Sequence, residues 1–525
     1  MLTKACEYIT LNAETIQTCQ EVFMYHLLVI GRYFFTTALL AAFFHLQAPT
    51  ALASSSLKSR IDRLFKVRNE KLRQGIYIAR VQDGKIIYKS QESELFSPAS
   101  VTKLITSAAL LHYFGPTFRF ETKIGHSGSL NQGILSGDLI IEGDGDPSFV
   151  SETLWGVAAD LKHMGLKEIK GNILINNSIF SGSIRDEIRK EGKDASNHAY
   201  DAPVTAFGVN FNTLAIAIFP GSRVGEKTKV ELDPYPIGGV VIDNRIKTSS
   251  SKSRPSYRVS RVSMPGGKSK IVLSGRIPIG FPLQKIYRSV NDPVLTSGEI
   301  FRRFMQEQGI SVKGTVADTN RQAEHRLLKV PSKPIESIIR DLNIHSNNFI
   351  ADVMVKRLGA QDLSKNYSAI NGQGSYANGM KAITNFLSKE VGITSAFVLE
   401  NGSGLTSQNR LSAEQVSKLL IYMAKRWDLF PEFLASLPTS GKTGTLEKRF
   451  RSAATTDLQG HIRAKTGTLT DPYAVSSLAG YVHHPKHGIL AFTIIQNGKL
   501  GQRQPGILDL QESQEIGLLG VTRYL

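Results

Sequence analysis

Cysteine is nearly absent. Cys6 and Cys19 are the only two in 525 residues, so neither a disulfide framework nor a cysteine-rich zinc site can organise the fold. Long apolar runs are missing after the first fifty residues, which leaves one segment near the start able to enter a membrane. Acidic residues are in deficit, 45 Asp and Glu against 63 Lys and Arg, a formal net charge of +18. No nucleic-acid-binding module accounts for that excess. It suits either attraction to an anionic surface, such as cell wall or lipid headgroups, or simple surface solubility. With 41% hydrophobic and 21% charged residues, the chain is neither disordered nor collagen-like and can bury at least one large core. Its length allows roughly two to four domains.

The apolar segment covers residues 27–46, interrupted chiefly by Arg32 and His45, and leads to Ala51-Leu52-Ala53 and a run of serines. An apolar stretch followed by a small-x-small site reads as a secretory signal cut after Ala53. The alternative is a permanent anchor, for which the stretch after Arg32 is short. The first 23 residues are too polar for a signal, and Met24 offers a second start. Both cysteines lie in this leader, as do Lys4 and Arg32 against Glu7, Glu14 and Glu21. The mature chain is therefore free of cysteine and one charge more basic. These features predict a periplasmic or otherwise exported protein.

In the mature chain, residues 75–90 are two β-rich runs joined by Asp83-Gly84, a hairpin signal. Ser97-Pro98-Ala99 then opens a stretch with Val101, Leu104, Ile105, Ala108 and Leu111 at helical spacing, ended by Gly115-Pro116. Residues 120–290 alternate short β-like runs with turns rich in Gly, Ser, Asp and Asn. Within them, 247–270 reads as a basic exposed loop or edge. Amphipathic helical patterns return from 292, and three β-runs follow 460. The expected organisation is a leader over 1–53, a first part of the main domain over 54–124, an inserted β-rich region over 125–291, and the second part over 292–525. The fold class is α+β: an antiparallel sheet built from both ends of the chain, with a helical body between. The closing segment 510–525 is too short for a membrane helix.

Three short motifs carry chemistry. Ser100-Val-Thr-Lys103 opens a helix, where positions i and i+3 share a face, so the lysine amine can sit beside the hydroxyl. Serine alone is a weak nucleophile, and a neighbouring amine can take its proton. Ser55/Lys58 and Ser249/Lys252 repeat the spacing in polar stretches without an apolar helix behind them. Ser346-Asn347-Asn348 falls between two predicted helices, where it can present a hydroxyl and an amide or simply cap the second helix. Lys-Thr-Gly occurs twice. Lys442-Thr443-Gly444 sits in loop-like sequence, whereas Lys465-Thr466-Gly467 lies in a β-run and is the copy expected to act. A lysine and threonine along a strand edge can bind a carboxylate, and glycine lets another backbone pass close.

Serine-lysine, serine-x-asparagine and lysine-threonine-glycine, in that order, form the motif set of penicillin-binding proteins and β-lactamases. The sequence resembles one family among these, the D-alanyl-D-alanine carboxypeptidase/endopeptidases, or type-4 low-molecular-mass penicillin-binding proteins. The resemblance spans nearly all of the mature chain and includes SPASVTKLITSAALL, IEGDGDPSF, YDAPVTAFGVNFN, LNIHSNNFIADVMVKRLG, NGSGLTSQNRLS and AKTGTLTDPYAVSSLAGYV. The wide interval between Ser100 and Ser346 matches the long insertion of that family.

The resemblance implies a penicillin-recognising, transpeptidase-like domain and an exported serine peptidase acting on peptidoglycan stem peptides. In it Ser100 is acylated, Lys103 is its base, and Ser346 and Asn348 assist proton transfer and hold the peptide. Lys465 and Thr466 bind the terminal carboxylate, Gly467 stands behind them, and the amides of Ser100 and Thr468 form the oxyanion hole. It implies no metal or cofactor and β-lactam antibiotics as covalent inhibitors, while the basic charge of the mature chain suits peripheral membrane or wall association. Two positions depart from the pattern: Thr406-Ser407 stand where the family often has Ser-Arg, and Asp194 is out of step with Ala202-Pro203. The competing readings are a serine β-lactamase, which the wide motif spacing disfavours, and an inactive wall-binding protein, which the complete motif set disfavours. Tyr376-Ala-Asn378 reads as part of a Gly-rich loop, and the Gly143–Asp146 acidic loop and His483, His484 and His487 read as turns.

Overall fold

The computed structural model describes residues 57–66, 72–185, 196–234, 237–361 and 373–525. The leader with Met24, both cysteines, Ser55 and the Ala53 site, as well as Asp194, lie outside them. The chain divides into two compact units, 1–66 with Tyr524, and the remainder. Within the first, residues 57–64 form a helix.

The second unit is built on an antiparallel sheet drawn from both ends of the chain. Strands β1 (Arg73–Arg80) and β2 (Ile86–Ser90) form the expected hairpin. Gly84 sits in its turn at φ +74°, a conformation glycine adopts without strain. The other strands are β3 (Ile462–Leu469), β4 (Val475–His484) and β5 (Gly488–Asn497), and the sheet order is β3-β4-β5-β1-β2. β4 and β5 are buried along nearly their whole length. Their near-continuous small and apolar sequence follows, because both faces of the sheet are covered. On one face Ser417, in the helix Ala413–Lys425, donates to Thr493 Oγ1 at 2.8 Å. On the other Gln514, in the helix Ile507–Tyr524, donates to Ser476 Oγ and Gln496 Oε1. Among the described residues no helix is long and apolar enough to cross a membrane.

The helical body holds three elements that matter for the site: α1 (Thr102–Phe114), α2 (Ile335–Ile344) and α3 (Asn348–Gly359). α1 begins after a single 3-10 turn over Ala99–Val101 and is buried on nearly every side. Leu104, Ile105, Ala108 and Leu111 join Ile338, Ile339, Met354 and Leu358 in one core. An all-buried helix of this kind gains its stability from packing rather than from propensity.

Between α1 and α2, Glu121–His126 pairs antiparallel with His325–Pro331. The strands Leu139–Glu142, Ile173–Asn176 and Val316–Thr319 complete a five-stranded sheet. The helix Pro293–Glu307, expected to open the helical body, lays Ile300, Phe301, Phe304 and Met305 on this sheet instead. Periodicity reports that one face is buried but not what covers it. Smaller sheets form a separate core around Ile216, Ile246, Ile271 and Leu273. The basic stretch 247–270 supplies an edge strand there, Ser256–Ser263.

Candidate active site

The 3-10 turn places Ser100 at the mouth of α1, half-buried, while Lys103 one turn later is wholly buried. Lys103 Nζ lies 3.0 Å from Ser100 Oγ. It also donates to Asn348 Oδ1 at 2.7 Å and, at short range, to the carbonyl of Ser403. Asn348 opens α3, and its amide nitrogen donates to the Tyr200 carbonyl at 3.1 Å. The inserted region thus touches the motif directly.

Ser346 occupies the loop between α2 and α3 at φ +53°, a left-handed conformation that turns the chain sharply before Asn347 caps α3 by accepting from the Ile350 amide. Its Oγ accepts from Lys465 Nζ at 2.8 Å. Lys465 also donates to the carbonyl of Thr466 at 2.8 Å and has no exposed surface. Burial pushes its ammonium down to about 7, because the charged form loses its hydration. Thr466 Oγ1 donates to Thr445 Oγ1 at 2.8 Å.

Gly467 explains how the strand reaches the serine. A Cβ there would lie 2.5 Å from the Pro98 carbonyl and 3.1 Å from the Ser100 amide nitrogen. Only a hydrogen at this position lets β3 lie flat against the turn that carries Ser100. Thr468, next along the strand, is exposed. Ser100, Lys103, Ser346, Asn348, Lys465, Thr466 and Gly467 are therefore linked by direct contacts, with Thr468 beside them.

The rejected pattern matches have ordinary structural roles. Tyr376 and Asn378 form the first turn of the helix Tyr376–Lys389, capped by Ser375, and the Tyr376 ring lies 4.8 Å from Lys356 Nζ. Asp146 accepts from the Ser148 amide at 2.7 Å and hydroxyl at 2.6 Å, closing a turn, and burial raises its carboxyl to about 6. His484 Nδ1 accepts from the Lys486 and His487 amides in the β4–β5 turn. Among the described residues no cluster of histidine, cysteine and acidic groups could hold a metal ion.

The structure adds residues that sequence reasoning passed over. The Ser403 carbonyl faces both Lys103 and Ser100, at 3.5 Å from the latter's Oγ. Its loop is fixed from below by Asn409. That side chain accepts from the Glu400 and Asn401 amides and donates to Thr102 Oγ1 and the Asn401 carbonyl. Asn401 in turn accepts from the Gly404 amide at 2.8 Å. The available signal was Gly402-Ser403-Gly404, because Gly404 sits at φ +72° with the Ala99 carbonyl where a Cβ would go. Thr406 and Ser407 follow this loop, and Arg410 donates to the Ser407 and Asn409 carbonyls.

Residues 57–509 match the D-Ala-D-Ala carboxypeptidase 3 (S13) family. A D-alanyl-D-alanine carboxypeptidase of Actinomadura sp. (strain R39) is 28% identical over 465 residues, 85% of this chain and 80% of that protein. The D-alanyl-D-alanine carboxypeptidase DacB of Haemophilus influenzae is 24% identical over 426 residues, 81% of this chain and 85% of its own. The crystal structure of penicillin binding protein 4 (dacB) from Haemophilus influenzae superposes with a TM-score of 0.70 at 24% identity, covering 86% of this chain and 98% of that one. The chain therefore belongs to the D-Ala-D-Ala carboxypeptidase 3 (S13) family and is a serine-type D-Ala-D-Ala carboxypeptidase with an α+β fold.

Proposed function

We propose that the protein hydrolyses the terminal D-Ala-D-Ala bond of peptidoglycan stem peptides through an ester on Ser100, and that β-lactams trap it at the same oxygen. The observation that carries this reading is the setting of Lys103. Its amine meets two groups that can only accept, Asn348 Oδ1 and the Ser403 carbonyl, and one hydroxyl, Ser100 Oγ. A neutral amine has two N–H donors and one lone pair. In that neutral form, with N–H groups directed at the two carbonyl-type oxygens, the amine can receive the Ser100 proton across the 3.0 Å contact. Lys103 is thereby a general base in position to activate the serine.

Ser100 Oγ attacks the carbonyl of the penultimate D-alanine and Lys103 takes its proton. The carbonyl oxygen gathers charge in front of the amides of Ser100 and Thr468. The close fit of Gly467 on the Ser100 amide favours their facing one point. Lys465 and Thr466 hold the terminal carboxylate, and Ser346 gives its hydroxyl proton to the departing amine while Lys465, which donates to its Oγ, replaces it; the proton held on Lys103 returns to Ser100 Oγ when water releases the ester. Collapse breaks the C–N bond, D-alanine leaves, and water later hydrolyses the ester. The leader read from the sequence supports an exported, wall-facing location for this activity. Penicillin binding protein 4 of Haemophilus influenzae forms a complex with a novel beta-lactam, which supports the same chemistry here.

The test is intact mass after penicillin exposure, with D-alanine release from a pentapeptide measured in parallel. The mature protein is expected to gain one penicillin on the peptide bearing Ser100, and Ser100→Ala to lose both adduct and release. D-alanine release surviving unchanged in Ser100→Ala would overturn the assignment.

A further inference from the structure

The basic stretch of the inserted region builds a cationic surface that the catalytic site does not use. Strands Val240–Ser249, Ser269–Pro278 and Ser256–Ser263 form a sheet in that order, with Ser269–Pro278 in the middle. Ile246, Ile271, Leu273 and Val259 point inward to the separate core around Ile216. Side chains alternate along a strand, so Arg245, Lys247, Arg258 and Arg276 stand on the opposite face, and all four are exposed. Register brings them together. Lys227 bridges Lys247, and Lys247 pairs with Arg276, so three cations form one row across neighbouring segments about 5 Å apart. In the next row Arg245 and Arg258 flank Ser274 from either side. The connection between Ser249 and Ser256 adds Lys252 and Arg254 at the same end, both exposed.

The acids nearby leave this end uncompensated. Asp243 is the only carboxylate in the three strands, and it is taken by Arg245 at 2.7 Å and Lys270 at 3.1 Å. Glu226, beside Lys227, turns its carboxylate to the Ser222 hydroxyl and the Arg223 amide. The side chains of Lys227, Lys247, Lys252, Arg254, Arg258 and Arg276 have no hydrogen bond or ion pair among the described residues. Like charges directly opposite on neighbouring strands are destabilising. Lysine on an edge strand guards against unwanted pairing, but Arg276 is on the central strand, where there is no edge to guard. The ground between the cations is hydroxyl: Ser256, Ser274 and the serines of the 249–253 connection. The exposed Val241 and Val262 lie at the far end, on either side of Lys270. A membrane-binding face sinks apolar side chains alongside its cations. This one offers guanidinium, ammonium and hydroxyl donors, which suit the hydrated carboxylates of a polar polymer.

We infer that this face binds the wall polymer through the carboxylates of stem peptides other than the one being cut, and so holds the enzyme on an insoluble substrate. The identity of the occupant rests on the function proposed above, because the polymer is the one whose peptides that function trims. A planar guanidinium pairs with a carboxylate through two parallel hydrogen bonds. A single exposed charge pair is weak. Six unpaired cations on one surface, facing a polymer that repeats its carboxylates, act as linked contacts whose effects multiply.

The experiment is co-sedimentation of the mature protein with purified sacculi freed of attached phosphate polymers, at low and moderate salt. Wild type is expected to bind equally with and without penicillin, because the face contains no residue of the catalytic site. Lys247→Gln/Arg258→Gln/Arg276→Gln should weaken binding about tenfold and flatten its salt dependence, with pentapeptide turnover and penicillin acylation within about twofold of wild type. Wild-type protein on sacculi whose carboxylates have been amidated should match the variant on native sacculi, a comparison that needs no variant to fold. Equal binding by variant and wild type, indifference to amidation, release by penicillin, or tighter binding to phosphatidylglycerol vesicles than to sacculi would overturn the assignment. None of these outcomes touches the Ser100 adduct, so the acyl-enzyme function would survive them. Absence of the adduct would remove that function and leave the sacculus comparison to decide the face by itself.

Discussion

Lys465 donates a 2.8 Å hydrogen bond to Ser346 across 119 residues of sequence, from a position with no exposed surface. Two of the three motifs are thereby joined through a lysine whose charge the fold opposes. Its ammonium is held down to about 7 by burial, against about 10.4 for a free lysine. On the reading proposed above, a bound carboxylate would supply the missing counter-charge, which couples substrate binding to proton uptake at this residue.

The pH dependence follows with a definite sign. Below about 7 the free enzyme already carries the charged lysine, and carboxylate binding is independent of pH. Above it each binding event must take up a proton. Affinity for D-Ala-D-Ala peptides and for penicillin is expected to fall about tenfold per pH unit above 7, until binding to the neutral form takes over. Stability runs the other way. The unfolded chain binds the extra proton between about 7 and 10, so Lys465 makes the fold less stable at neutral pH and the penalty fades as pH rises. Stopped-flow acylation across pH 6–9 reads the first effect. Denaturant titration of wild type against Lys465→Met reads the second, with the variant expected to lose the slope. A flat acylation profile in wild type would contradict the coupling.

A second prediction concerns a residue that touches no substrate. Asn409 is fully buried and holds the loop that presents the Ser403 carbonyl to Lys103. Asn409→Ala strands two amides and two acceptors, with an expected stability loss of about 2–4 kcal/mol. If the Ser403 carbonyl keeps one Lys103 proton occupied, the acylation rate at saturating penicillin should drop at least tenfold while the half-saturating concentration moves little. Asn409→Asp keeps the acceptor toward Glu400 and Asn401 and should recover part of the stability but less of the rate. Chemical denaturation and acylation kinetics on both variants separate the two roles.

The pattern of what could be read in advance has a physical basis. Ser100, Lys103 and the Lys465–Gly467 strand were legible because each motif sits where its local element is also legible: an apolar helix start, and a β-run in a hairpin. Choosing Lys465 over Lys442 needed only flanking sequence, and the structure separates them by burial, since Lys442 is exposed. The Ser403 carbonyl and the Tyr200 carbonyl were out of reach because backbone oxygens carry no residue signature. The strand pairing around the inserted region was out of reach for a related reason. The pairing of Glu121–His126 with His325–Pro331 joins segments some two hundred residues apart, and neither segment's periodicity names its partner. Helix Pro293–Glu307 looks the same in sequence whichever layer it covers.

Gly467 gives the sharpest steric test. Its backbone does not require left-handed freedom, since it is absent from the positive-φ positions of the chain, so the reason for glycine here is contact alone. A methyl group would meet the Pro98 carbonyl at 2.5 Å, and both walls of that contact are backbone. Neither can rotate away as a side chain would, so β3 must move outward or the Ala99–Val101 turn must tilt. Overpacking of this kind costs about 1–3 kcal/mol. The larger effect should fall on chemistry, because the displacement lies between the Ser100 amide and the strand bearing Thr466 and Thr468. A misplacement of about 1 Å at a reacting centre costs on the order of a hundredfold. Gly467→Ala is therefore expected to fold, with its melting temperature lowered by a few degrees, and to acylate with penicillin about a hundred times more slowly. Acylation at the wild-type rate in a folded Gly467→Ala protein would show that the strand and the serine turn are not held in the close register described here.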